Sequence, residues 1–358
     1  MRLLLFNLTT DADAPVHGFT TLWIRALAAH CDYIDVITMT AGRIAVPENV
    51  RVYSVGREKG YRKTKRFFIF YRVLNRLLRD NHYDACFAHM QPLFAVMAAP
   101  LLYWYGVRTV LWYAHKSVTV KLRLAERVAY RVVTPSPESF RIKSDKVRVI
   151  GHGIDTDHFV PAQSPRENRP FTIVSVSRLS PIKRIETIID AVKILRDEQS
   201  IDNLYVKLVG NVHPYDEDYA AMLRQRVVDY QLDAVIEFVP PVLLQDLPPV
   251  YHQADVFVNM SATGSIDKAV LEAMSCAVPV ITSNEAFQQM LSTWGAMLLT
   301  PPDADALAQR IVALSQMPEQ ERKQLGDALR MIVVRDHSLQ RLARMLMNIF
   351  KTGEPNIE

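Results

Sequence analysis

Ser261-Ala-Thr-Gly264-Ser265-Ile266-Asp267-Lys268-Ala-Val-Leu-Glu272-Ala-Met-Ser-Cys-Ala-Val-Pro279 is the stretch that decides the reading of this chain. An apolar run from Asp255 to Met260 precedes it, so a strand passes into a small polar loop and then into a helix beginning near Ser265 to Lys268. A helix start leaves its first amides unpaired and carries partial positive charge, which favours an anion there. Val270, Leu271 and Met274 suit packing on a sheet, and Glu272 turns to another side. A carboxylate in that place can accept hydrogen bonds from a ribose diol, although a lone helix Glu is more often solvated.

Upstream, a second strand-to-helix junction reads Ser175-Val-Ser-Arg178-Leu-Ser-Pro-Ile-Lys183-Arg184. Arg offers a planar fork and Lys a point charge, a combination suited to a diphosphate whose charge grows as its sugar departs. Cations are disfavoured at a helix start, so an ordinary basic turn explains the pair less well.

With both segments read, the chain resembles the retaining glycosyltransferases of family 4, which have the GT-B fold. In that family a strand ending in Gly-Arg-Leu, followed by Pro-x-Lys-Gly, sets Arg and Lys on the donor diphosphate, and the resemblance implies that role for Arg178 and Lys183. The second family signature is Glu, seven residues, Glu, then Ala-Met-Ala-x-Gly-x-Pro-Val. Its second half is similar to Glu272 through Pro279, which implies that Glu272 grips the nucleotide ribose. Its first Glu falls on Gly264 here, so the carboxylate that usually binds sugar hydroxyls is missing and Asp267 is the candidate substitute. Backbone amides of Ser265, Ile266, Asp267 and Lys268 would complete the phosphate cradle.

The resemblance extends over nearly the whole chain. Val149-Ile-Gly-His-Gly153-Ile-Asp155, followed by Phe159 and Pro161, is similar to the family segment that closes the first domain. Val110-Leu-Trp-Tyr-Ala-His115 is similar to the strand whose terminal His points at the donor sugar, although a His ending an apolar strand is usually structural. Gly18 is the one glycine left in a first loop that normally has two, where it lets backbone approach the donor.

At 358 residues with 49% apolar content the chain is sized for two domains. Apolar strands at 3–8, 33–39, 50–55, 83–89, 109–115 and 132–135, and again at 171–177, 205–210, 235–239, 256–260, 280–282 and 297–299, alternate with helical patterns. That order predicts an α/β protein of two parallel sheets: an acceptor-side Rossmann-like domain at 1–160, a linker at 161–170, a nucleotide-sugar domain at 171–335 and a terminal helix at 336–358 that GT-B proteins commonly send back to the first domain. The expected active site lies in a cleft between two facing domains. Pro92 to Tyr105 is apolar but too short to span a bilayer and is expected as a buried helix.

Charge is uneven. Residues 57–79 hold nine Lys or Arg against one acid, so this segment carries +8 and the rest of the chain −4. Phe67, Phe70, Tyr71, Leu74, Leu77 and Leu78 recur there at helical spacing, with Lys65, Arg72, Arg76 and Arg79 on another face. A basic amphipathic helix suits an anionic membrane surface; a core helix with a solvated basic face fits the same pattern equally well. No nucleic-acid module accompanies the patch. Cys31, Cys86 and Cys276 lie far apart and read as reduced packing residues. With no export signal apparent, the expected location is cytoplasmic, peripheral on the inner face of the membrane.

Asp11-Ala-Asp13 and Asp155-Thr-Asp157 match Asp-x-Asp only superficially, so transfer without a metal or other cofactor is expected. Taken together, the resemblance implies sugar transfer, with retention, from a UDP- or GDP-sugar to a glycan or lipid-linked acceptor in cell-surface polysaccharide or glycolipid assembly. A catalytically silent binding subunit of a glycan-assembly complex and a nucleotide-sugar epimerase stay open as alternatives. An oxidoreductase is disfavoured, because no Gly-x-Gly-x-x-Gly follows the first strand.

Overall fold

The computed structural model describes residues 1–14, 18–163, 169–198, 201 and 203–356. The chain divides into two compact units, Met1–Gly153 with Ser338–Glu358, and Ile154–His337.

The first unit runs β1 (Arg2–Thr10), α1 (Phe19–Ala28), β2 (Tyr33–Ala41), β3 (Val50–Ser54), α2 (Lys63–Asp80), β4 (Ala85–His89), α3 (Pro92–Trp104), β5 (Arg108–Trp112), α4 (Val120–Val128), β6 (Arg131–Thr134) and β7 (Val147–Val149). Its strands pair in parallel in the order β3-β2-β1-β4-β5-β6-β7. A parallel sheet is covered on both faces, which is why Leu3 to Phe6 can be apolar without interruption and wholly buried. Leu3 and Leu5 join one core with Trp23, Ile24 and Leu27 of α1, whereas Leu4 and Phe6 join another with Phe70, Leu74, Leu77 and Leu78 of α2, Phe94 and Leu102 of α3, and Leu122 of α4.

The second unit runs β8 (Phe171–Val176), α5 (Ile185–Asp197), β9 (Leu204–Val209), α6 (Glu217–Asp229), β10 (Ile236–Val239), α7 (Pro248–Tyr251), β11 (Val256–Asn259), α8 (Lys268–Ser275), β12 (Val280–Thr282), α9 (Ala304–Gln316) and α10 (Glu319–Asp336). Its parallel order is β10-β9-β8-β11-β12. The strand order reverses between β8 and β11, the switch point outside which open α/β sheets bind ligands.

The last helix, α11 (Leu339–Thr352), belongs to the first unit. Leu342, Leu346, Ile349 and Phe350 are buried there with Trp23 and Phe87, and Gly353 ends the helix with φ +86°. Beyond it, Glu354 accepts hydrogen bonds from Arg148 (2.6 Å) and Arg131 (3.2 Å).

Several elements differ from the sequence reading. The break between units falls at Gly153/Ile154 and not at 160, because Ile154 and Phe159 are buried in the core of the second unit. Of the segment read as a linker, 164–168 lie outside the described residues. β7 went unread: it has three residues, Val-Arg-Val, among charges. Residues 297–299 form no strand; Gly295–Met297 is a 3₁₀ turn and Leu299 alone bridges to Thr282, a distinction that a short apolar run does not carry. α3 is not buried all round, since Tyr103 and Trp104 are exposed. None of the three cysteines is in a disulfide, and all are buried.

Candidate active site

The residues that follow β8 and β11 meet at the switch point of the second sheet. After β8 the chain passes Arg178, bridges at Leu179 to Val212, and makes a 3₁₀ turn, Pro181–Lys183, before α5. After β11 it forms the polar loop 261–267 and then α8. The two loops are tied by the amide of Ala262 donating to the carbonyl of Ile182 (2.9 Å).

Side chains complete the tie. The Lys183 ammonium donates to Asp267 Oδ1 (2.7 Å) and to Ser261 Oγ (3.3 Å), and both members of the ion pair are largely buried. Asp267 Oδ2 accepts from Asn259 (3.3 Å), Thr263 (3.4 Å) and Asn284 (3.5 Å). Asn284 also donates to the carbonyl of Ser265 (2.8 Å) while its own Oδ1 accepts from the amide of Ala286 (3.1 Å), so this one buried amide clamps the loop.

Asp267 is the N-cap residue of α8, yet its carboxylate turns to Lys183 and does not cap the helix. The start of α8 therefore keeps the electrostatic character that favours an anion. Ser265 enters the arrangement through its carbonyl. Ile266 buries its side chain in the core, which leaves only its backbone for a phosphate.

Gly264 has φ +58°, a left-handed conformation that side chains adopt at a cost. A Glu at this position would be strained, so the absence of the family carboxylate and the backbone of the loop go together. Gly210, ending β9, is required for a different reason: an added Cβ would stand 1.7 Å from the carbonyl oxygen of Ser177.

Glu272 is 5% exposed, unlike the solvated position a lone helix Glu most often takes. Its Oε2 accepts from the Tyr251 hydroxyl (2.8 Å). Burial raises its carboxyl above the usual range, against the opposing pull of Lys268, Tyr251 and His158. Burial likewise lowers the Lys268 ammonium to about 7, with Glu272 acting the other way. Glu272 is thus a desolvated carboxylate already held by one phenol.

The remaining candidates lie in the first unit. β5 ends at Trp112, so His115 sits in the following loop and is exposed, not at the strand terminus. Its Nδ1 accepts from the amide of Ser117 (3.0 Å), which in the neutral ring leaves the proton on Nε2. Partial burial and Lys116 depress its pKa. Gly18 precedes α1 with φ −54°, an ordinary helical value, and 15–17 of its loop lie outside the described residues. Arg178 is exposed. The two Asp-x-Asp pairs have local partners: Asp13 accepts two bonds from Arg43 (both 2.6 Å), and Asp155 Oδ1 accepts the amides of Asp157 (3.3 Å) and His158 (3.2 Å).

Sequence reading missed Asn259, Asn284 and Tyr251. Asn259 was detectable as a buried amide ending the apolar strand Val-Phe-Val-Asn; Asn284 and Tyr251 come close only through the fold.

The family model described as Glycosyl transferases group 1 matches residues 170–317. The Escherichia coli K12 protein WcaL, whose name proposes a colanic acid biosynthesis glycosyltransferase, is 29% identical over 215 residues, which is 58% of this chain and 51% of that protein. The chain spans about half the length of the curated relatives it matches first. Among solved structures, Anabaena Alr3699/HepE in complex with UDP superposes with TM-score 0.77 at 17% identity, covering 98% of this chain and 100% of that one. The sucrose-phosphate synthase of Thermosynechococcus elongatus gives TM-score 0.80 at 20% identity, covering 98% of each chain. The architecture is the GT-B one, two Rossmann-like parallel-sheet units. Residues 170–317, all within the second unit, are thus similar to the group 1 glycosyl transferases.

Proposed function

We propose that this protein is a retaining glycosyltransferase of the family 4 kind, moving a sugar from a nucleotide diphosphate sugar to a glycan or lipid-linked acceptor in the assembly of a cell-surface polysaccharide or glycolipid. The observation that carries the reading is the switch-point cluster: Lys183 and Asp267 joined across two loops, in front of a helix start that its own N-cap carboxylate does not cap. The UDP named with one fold neighbour and the polysaccharide pathway in a relative's name support it.

In this reading the α8 start and Lys183 hold the diphosphate, with Arg178 beside it. Glu272 takes the ribose, Asp267 the sugar hydroxyls, and the Nε2–H of His115 donates to another. The bond from the anomeric carbon to the phosphate oxygen breaks, the acceptor oxygen bonds to that carbon on the same face, and the acceptor proton passes to the departing phosphate oxygen. No protein base and no metal enters. Positive charge around the leaving group supplies the rate, each such donor being worth on the order of 10²–10³ in turnover.

The test is release of nucleoside diphosphate from UDP- and GDP-sugars with and without lipid-linked or oligosaccharide acceptors, followed by NMR of the new anomeric centre. Acceptor-dependent release with retained configuration is expected; release or isomerisation without any acceptor speaks for an epimerase. A binding subunit without turnover is the second reading, favoured by one observation, the missing carboxylate at Gly264, whose φ of +58° a Glu would adopt only at a cost.

A further inference from the structure

The basic segment 57–79 offers little of its apolar stripe to anything outside the protein, Phe67 at 47% exposure being the exception. Phe70, Leu74, Leu77 and Leu78 are spent in the core, so α2 presents mainly its other face: Lys65, Arg72, Arg76 and Arg79, with Phe68 among them at 69% exposure. An interfacial helix needs apolar groups to enter the lipid, and α2 alone is short of them.

Its neighbours supply them. α2, α3 and α4 bury their inner sides in one core on one face of the first sheet, and the strand order β1-β4-β5-β6 sets them side by side. The Tyr71 hydroxyl of α2 donates to the carbonyl of Met97 in α3 (2.8 Å), and Phe70 stacks on Phe94 at 4.6 Å, fixing their alignment. α3 carries no charged residue; Leu93, Met97, Pro100 and Trp104 follow at helical spacing on its outer side, ending in Tyr103 and Trp104, 90% and 84% exposed. α4 adds Val120, Leu124 and Val128, spaced by a helical turn and all exposed, beside Lys121, Arg123 and Arg127. The face is therefore an uncharged strip flanked on both sides by cations: across the three helices there are nine Lys or Arg and two acids. Of those acids, Asp80 contacts Arg79 (3.3 Å) and Glu126 accepts from Ser144 (2.6 Å).

We infer that the outer face of α2, α3 and α4 is a single docking surface for an anionic lipid bilayer, with Trp104, Tyr103, Phe68 and the α4 valines entering the interface and the flanking cations meeting lipid phosphates. Indole and phenol rings favour the headgroup level, and each cation adds to the attraction. A second copy of this chain fits less well, because a two-fold contact through the face would bring cationic flanks together. The surface lies away from the switch-point cluster in sequence and unit, so its failure would leave the sugar-transfer reading intact.

The test uses the full chain with vesicles of phosphatidylcholine alone, or of phosphatidylcholine and phosphatidylglycerol in equal parts, at low salt. Trp23 and Trp112 are buried and Trp294 packs half-buried against the core of the second unit, so the part of a blue shift that disappears with Trp104 reports its entry. Expected are co-sedimentation with the anionic vesicles only, a blue shift that W104A abolishes, and a loss of about 100-fold in partitioning for R72Q/R123Q/R127Q, at roughly fivefold per cation. Unchanged thermal unfolding of both variants shows that the fold is kept, all four positions being exposed. No binding of the wild type to anionic vesicles overturns the inference. So does binding undiminished in both variants, or a concentration-dependent blue shift with self-association and no lipid present.

Discussion

Replacing Lys183 by Ala probes both halves of the switch-point cluster at once. The ammonium lies 2.7 Å from Asp267 Oδ1, with the two side chains only 11% and 17% exposed, so its removal leaves a carboxylate in a poorly solvated place. Asp267 keeps three donors, all at long distances of 3.3, 3.4 and 3.5 Å. A fully buried pair broken this way costs about 3–5 kcal/mol; partial solvation and the remaining donors bring the expected loss in K183A to roughly 1–3 kcal/mol by urea unfolding. Turnover is expected to fall by about 10²-fold or more, the scale for removing a charge-stabilising donor. A second substitution separates the effects. K183A/D267N removes the unpaired charge and should recover most of the stability, while turnover stays low because the diphosphate still lacks its cation. Near-normal turnover in K183A, or turnover restored in the double variant, would refute the diphosphate role and leave Lys183 a structural partner of Asp267.

Other substitutions probe neighbouring parts. Y251F removes the hydroxyl that stabilises the ionised form of Glu272 and should cost about 1.5–3 kcal/mol at pH 8. Because that carboxyl titrates above its ordinary 4.5 when folded, the deficit should shrink as pH falls through the raised value and the group protonates; urea melts followed from pH 8 down to pH 4 trace it, and a deficit unchanged over that whole range would contradict the account. A277G should raise stability by roughly 0.5–1 kcal/mol, since Ala277 holds φ +57° just past α8, where the family pattern has glycine; a loss in chemical denaturation would count against strain there. Arg148 and Arg131 hold the Glu354 carboxyl at about 2, below its unfolded 4.5, so its contribution is complete above 4.5 and lost as pH falls toward 2; E354Q should flatten that acid limb of the stability profile.

The fold was legible because its signals are long and redundant. Uninterrupted apolar strands such as Leu3 to Phe6, alternating with helices whose stripes repeat at the helical period, leave few arrangements other than parallel sheets. What escaped was short or depended on context: β7, three residues long, and the unit break, which is set by where Ile154 and Phe159 find a core and not by the polar composition of 161–170. In the site, Lys183 and Glu272 were named from their strand-to-helix junctions and Asp267 from the family resemblance, but their partners were not. That Asp267 binds Lys183 in place of its own helix amides, and that Glu272 is buried beneath Tyr251, follow from packing between loops distant in sequence. The stripe of α2 carries the same lesson, since periodicity tells that a helix is two-faced without telling whether protein or lipid covers the apolar side.

Calorimetric titration of UDP and of GDP into the full chain tests the central claim most directly. The account predicts one-to-one binding of at least one of them, weakened about tenfold or more by both R178A and K183A, with each variant still folded. Binding of neither nucleotide, or binding as tight in the two variants as in the wild type, would contradict it.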